Sequence, residues 1–144
     1  MESIKTVTFT IPGKPMGKQR PRIVSRGSFA KAYTPKETVN YEQWVKACYI
    51  EQTDGYMFED TDRGIKVHII ACYDIPKSTS KRKLEKMLDC AILPIKKPDA
   101  DNIAKIICDS LNGIAYRDDA IITELAVTKV YSDTPRVEVA ICDL

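Results

Sequence analysis

The segment Lys96-Lys97-Pro98-Asp99-Ala100-Asp101-Asn102 places two carboxylates two residues apart behind a proline. Pro98 favours extended backbone before it, and in an extended run the side chains of Asp99 and Asp101 point the same way, with Cα atoms roughly 6.5 Å apart. Such a pair suits a hard divalent cation, because Mg²⁺ takes oxygen ligands and keeps several waters. The competing reading makes Asp101 a helix N-cap and Asp99 a turn residue.

Asp101, Lys105 and Asp109 stand at i, i+4 and i+8, one polar line along an otherwise apolar helix. Lys105 can lean towards the carboxylates, where its ammonium would hold a phosphate or the charge that grows in a transition state. Asp109 lies about 12 Å along the axis from Asp101, too far to share its ion, and is assigned to positioning Lys105. A surface ion-pair ladder worth at most about 1 kcal/mol is the alternative for Asp109. Tyr116-Arg117-Asp118-Asp119 follows, where the chain must re-enter a sheet and can return a carboxylate to the first pair. Adjacent strand residues face opposite ways, so one of Asp118 and Asp119 would ligate while the other turns to backbone or solvent. A plain turn explains that pair equally well. Asp118, Asp109 and Asn102 are the residues expected to support the ligands. Crowded aspartates repel one another unless a cation neutralises them. The pattern therefore asks for Mg²⁺, with Mn²⁺ as a substitute, to activate water for in-line displacement at a phosphodiester.

A basic loop, Gly13-Lys14-Pro15-Met16-Gly17-Lys18-Gln19-Arg20-Pro21-Arg22, precedes these residues. Seven Lys/Arg fall from Pro12 to Lys36, and no acidic residue lies between Ser3 and Lys36, so the local field is positive. Lys14, Lys18, Arg20 and Arg22, with Lys97, are expected to clamp phosphates, which gives salt-dependent affinity without reading sequence. Phe29 and Tyr33 are placed either to stack on bases or to pack on the sheet. Residues 1–50 carry nine Lys/Arg and three Asp/Glu, and residues 51–144 carry thirteen and seventeen, a basic front and an acidic back within a net charge of +2.

The remaining composition narrows the chemistry. A single histidine, His68, lies in a strand-like stretch, so paired-histidine mechanisms and a Ser-His-Asp relay have little material. Five cysteines, Cys48, Cys72, Cys90, Cys108 and Cys142, include no C-x-x-C pair and read as reduced, mostly buried thiols. No apolar run approaches the roughly 20 residues of a spanning helix. The N-terminus enters an alternating pattern without a signal-peptide core, so a cytoplasmic location in a bacterial or phage-infected cell, without membrane contact, is expected.

The elements that must position these residues are legible as periodicity. Thr6–Ile11 alternates as a strand, and Gly13–Thr34 reads as a long loop with room for a hairpin around Ser25-Arg26-Gly27-Ser28. Thr34 is expected to cap a helix, with Pro35 at its first position, Glu37 completing a capping box, and Tyr41, Trp44, Val45, Cys48 and Tyr49 forming its buried stripe. Ile65–Tyr73 is a strand, Ser80 caps a second helix through Leu88, and a third runs from Asp101 or Asn102 to Asn112 before Gly113. Strands over about Ile122–Tyr131 and Arg136–Ile141 complete the order β-α-β-α-α-β-β. This predicts an α+β fold over residues 1–144, one domain with a single mixed β-sheet flanked by helices.

The run K-P-D-A-D-N-I-x-K-x-x-x-D-S-L-N-G (97–113), the Tyr116–Asp119 tetrad and the G-K-x-x-x-K-Q-R-P-R loop (13–22) together resemble the RusA family of Holliday junction resolvases, from residue 9 to about 131. The resemblance implies that the catalytic aspartates fall on Asp99, Asp101 and Asp119 and an important lysine on Lys105. It further implies a Mg²⁺-dependent homodimer, often prophage-encoded, that nicks two strands of a four-way junction symmetrically, a two-fold enzyme on a two-fold substrate. Ala100 stands where the family often has a larger aliphatic residue, a departure that does not touch the ligands. Two other readings compete: a branched-DNA or single-strand binder without cleavage, and a metal-dependent flap or other nuclease.

Overall fold

A computed structural model describes residues 4–27, 29–33 and 35–144, without the side chains at 22, 24, 26, 29, 31 and 33. The cap expected at Thr34 and the side chains of Arg22, Phe29 and Tyr33 lie outside the described residues.

Alternation builds the first strand, β1 (Thr6–Pro12): Val7, Phe9 and Ile11 are buried while the threonines between them point away. A hairpin follows, β2 (Arg22–Arg26) and β3 (Phe29–Tyr33), turning at Gly27 with φ 60°. Helix α1 (Lys36–Thr53) begins one residue later than expected, because Pro35 is extended and serves as the flanking residue whose carbonyl accepts from Val39. Its buried stripe holds Tyr41, Val45, Cys48 and Tyr49, but Trp44 is 46% exposed. The indole sits at the rim and donates to the Pro12 carbonyl at 2.9 Å, so its polar edge decides its place.

Strand β4 (Ile65–Asp74) buries Ile65, Val67, Ile69, Ala71 and Tyr73 on one face. Helix α2 (Lys81–Leu88) is capped by Ser80, whose hydroxyl accepts from the Lys83 N–H. Helix α3 (Ala100–Ser110), a short 3₁₀ turn (Asp119–Ile121), β5 (Ile122–Ser132) and β6 (Arg136–Asp143) complete the chain. The main sheet has the order β1-β6-β4-β5, with β4 and β5 parallel and the other pairs antiparallel. It is the mixed sheet of an α+β fold.

A parallel pair needs a long crossover. Here that crossover carries α2, the 89–99 loop, α3 and the 3₁₀ turn, so it carries Asp99, Asp101, Lys105, Asp118 and Asp119 as well. α1 packs on β1 and α3, and α3 packs on β5. Ile103, Ile106 and Ile107 of α3 are fully buried against this core. β5 is less covered: Leu125 pairs with buried Val67 yet is 50% exposed.

Candidate nucleic-acid interface and acidic site

Asp99 is the N-cap of α3, extended at φ −71° and ψ 151°, and its carbonyl accepts from the Ile103 N–H at 3.0 Å. The helix therefore starts at Ala100, earlier than the expected Asp101 or Asn102, and ends at Ser110 rather than Asn112. The extended run expected to align Asp99 with Asp101 does not form. Ala100 is a strong helix former, and Asp101 in the first turn meets the positive end of the helix dipole. Residues two apart at a helix start do not face each other, so the two carboxylates diverge. Both are exposed.

The backbone before Asp99 is tied to the sheet. Tyr73 at the end of β4 donates its hydroxyl to the Pro98 carbonyl at 2.6 Å, and Lys129 of β5 donates to the Lys96 carbonyl at 2.6 Å. Burial, then the charge of Asp99, pushes the Tyr73 phenol up to about 12. Lys97 lies 3.8 Å from Asp99, both well exposed.

The basic loop docks on the same turn. The Lys18 N–H donates to the Asn102 carbonyl at 2.9 Å. A Cβ at Gly17 would lie 3.0 Å from Cβ of Asn102 and 3.1 Å from Cβ of Pro98, so any larger residue would have to push the loop and the helix start apart by a few tenths of an ångström. Between loop and helix runs an open groove of about 380 Å³, lined by Met16, Gly17, Gln19, Lys97, Asp99 and Asn102 among others. Arg20 is exposed beside it in sequence, and Lys14 pairs at 3.5 Å with Asp74.

Lys105 leans towards the C-terminal end of α3, not towards Asp101: its Nζ lies 3.4 Å from Asp109. The same Asp109 oxygen lies 3.6 Å from Nζ of Lys18, which is 3.1 Å from Glu42 of α1. Asp118 turns to the backbone, accepting from the Ala120 N–H at 2.9 Å as the cap of the 3₁₀ turn. Asp119, half-buried, donates its own N–H to the Asn112 side-chain oxygen at 2.8 Å and shares a small pocket with Cys108 and Leu125. Burial first, then Asp119, pushes the Cys108 thiol up to about 11.

Asp119 thus sits by Cys108, near the far end of α3 from Asp99, about 14 Å along the helix axis at 1.5 Å per residue. It also precedes Ile122, which pairs with Ile65 at the start of β4, whereas Asp99 is tied to Tyr73 at the end of that strand. Among the described residues, no three His, Cys, Asp or Glu side chains are grouped to hold one metal ion. The chain brings Asp99, Lys97, Asn102 and the basic loop together, and it keeps Asp119 apart.

Two residues with a hold on this site escaped sequence reasoning. Tyr73 showed only its apolar strand phase, and Glu42 carries no local signal at all, since its partner Lys18 is in a distant loop. The five cysteines are free, with Cys90 the exposed one.

The comparisons with known proteins cover both the loop and the aspartate segment. Residues 12–142 match the family model described as Endodeoxyribonuclease RusA. A Bacillus subtilis (strain 168) protein described as "Uncharacterized protein YqaN" is 33% identical over 138 residues, covering 94% of each chain. With a match that spans nearly all its elements, from the end of β1 into β6, this chain belongs to the RusA endodeoxyribonuclease family.

Proposed function

We propose that the protein is a structure-selective endodeoxyribonuclease that resolves four-way junctions by paired, symmetric nicks, acting as a homodimer with Mg²⁺ or, in its place, Mn²⁺. One observation carries the reading: Gly17 and Lys18 seat the basic loop directly on the first turn of α3, so cations and the Asp99 carboxylate line one open groove. A phosphodiester backbone fits such a groove, held by charge on one side and offered to carboxylates on the other.

In this reading Lys14, Arg20, Arg22 and Lys97 hold phosphates. Lys105, 62% exposed at its side chain, neutralises the phosphate charge that builds during displacement. Asp99 lines the groove and Asp101 follows it in the first turn of α3; both are read as metal-facing carboxylates. Asp119 does not fit the same ion within one chain, given its place at the opposite end of α3. A homodimer supplies the other route, in which Asp119 reaches the groove from a second copy. When bound, Mg²⁺ supplies water activation and charge neutralisation at the phosphate. The setting is proposed to be the DNA recombination or repair of a bacterial or prophage-carrying cell, in its cytoplasm.

The dispersed carboxylates also favour a specific rival, a junction binder that does not cut. Incubation of labelled four-way junction, flap and linear duplex with the protein, in Mg²⁺ or EDTA, separates these readings. Symmetric nicks in the junction only, abolished by EDTA, are expected. Flap cleavage would indicate the other nuclease reading, and binding without nicks in either Mg²⁺ or Mn²⁺ would indicate the binder. Asp101→Asn is expected to abolish nicking while junction binding persists, because its carboxylate lies outside the phosphate clamp; full activity in that variant would remove Asp101 from the reaction.

A further inference from the structure

Lys18 lies in the basic loop, but its ammonium faces inward. It sits between Glu42 of α1 at 3.1 Å and Asp109 of α3 at 3.6 Å, and the three side chains are only 21%, 18% and 23% exposed. Lys14, by contrast, is 74% exposed at its side chain. Asp109 uses the same oxygen for Lys105, so four alternating charges, Glu42, Lys18, Asp109 and Lys105, form a continuous chain from α1 through the loop to α3. A lysine held by two carboxylates in partial burial has little to offer a phosphate, since reaching out would strand both carboxylates facing each other.

We propose that Lys18 is a positioning residue: it fixes the Asp109 carboxylate, and through it the direction of the Lys105 ammonium. This rests on the reading of Lys105 as the residue that meets the phosphate. The coupling has a structural logic. The neighbouring backbone contacts, Lys18 N–H to Asn102 and Gly17 against Pro98 and Asn102, hold the loop where the ion pairs need it. Because these contacts do not involve the Lys18 ammonium, the loop keeps its place when the ion pairs are lost, and only the direction of Lys105 changes.

Lys18→Met and the near-isosteric Glu42→Gln test this, with thermal unfolding showing which variants are folded. For Lys18→Met, the slope of log K against log salt for junction binding should stay that of the wild type, whereas loss of a phosphate contact would lower it by about 0.9. Single-turnover nicking should fall at least tenfold, and adding Lys105→Met to Lys18→Met should cost much less than Lys105→Met costs alone. An arm that needs no activity follows ¹³C-dimethyl-lysine signals in the free protein. The Lys105 signal should shift in both Lys18→Met and Glu42→Gln, and stay in place in Lys66→Met on the sheet. A salt slope reduced as in Arg20→Ala, unchanged nicking, or an unmoved Lys105 signal overturns the proposal. Wild-type protein that never nicks a junction overturns the enzyme reading instead, and the lysine signal then decides the positioning role alone.

Discussion

The phenol of Tyr73 reaches from the end of β4 to the Pro98 carbonyl, 2.6 Å away, and so holds the backbone just before Asp99 against the sheet. Tyr73→Phe is expected to cost about 1 kcal/mol in urea unfolding, since it deletes one hydrogen bond and leaves the carbonyl unpaired. Junction nicking should drop further than that stability loss explains, because Asp99 loses its anchor; nicking at wild-type rate would show that the tie is only structural. The pH dependence has a defined sign. Burial raises the folded phenol from 10 to about 12, so its contribution is whole below pH 10 and is lost as pH climbs from 10 through about 12. The phenylalanine variant should lack that part of the alkaline decline. At this scale the aspartates, Lys105 and the loop cations were legible because residue type and spacing announce them. Tyr73 and Glu42 were not, since their partners lie far along the chain and only packing brings them near.

Periodicity located the strands and helices of the main sheet, yet it misplaced the start of α3 and the burial of Trp44. Both errors arise at boundaries, where a cap or a single polar edge outweighs the apolar pattern. A boundary also explains the most sensitive glycine. Gly64, at φ 74°, leads into β4, and a Cβ there would collide with the Ile121 carbonyl and the Thr123 side chain. Gly64→Ala is expected to destabilise by roughly 2–4 kcal/mol, from the left-handed backbone and the forced shift of the neighbouring strand. Because the 3₁₀ turn moves with Ile121, the variant should also displace Asp119. A loss below 1 kcal/mol would mean that β5 yields easily at its start.

For the molecule as a whole, the fold class could be anticipated, whereas the docking of the loop on the first turn of α3 and the separation of Asp119 could not. Whether a turn returns to one end of a helix or the other depends on which end of β4 the next strand joins, and no local pattern encodes that choice. The separation makes the proposed dimer testable through complementation. Asp101→Asn and Asp119→Asn should each be inactive, while an equal mixture after subunit exchange should recover about a quarter of the wild-type sites, the share with both native residues in a two-fold assembly. No recovery would place Asp119 in its own chain's chemistry or outside it.

The sheet order β1-β6-β4-β5 carries one more consequence. The first strand made can pair only with β6, more than a hundred residues later, so a chain emerging from the ribosome holds an unfinished sheet for nearly its entire synthesis. The groove residues hang on that sheet through Tyr73, so a nascent chain short of β6 holds them on a sheet that still lacks the strand between β1 and β4.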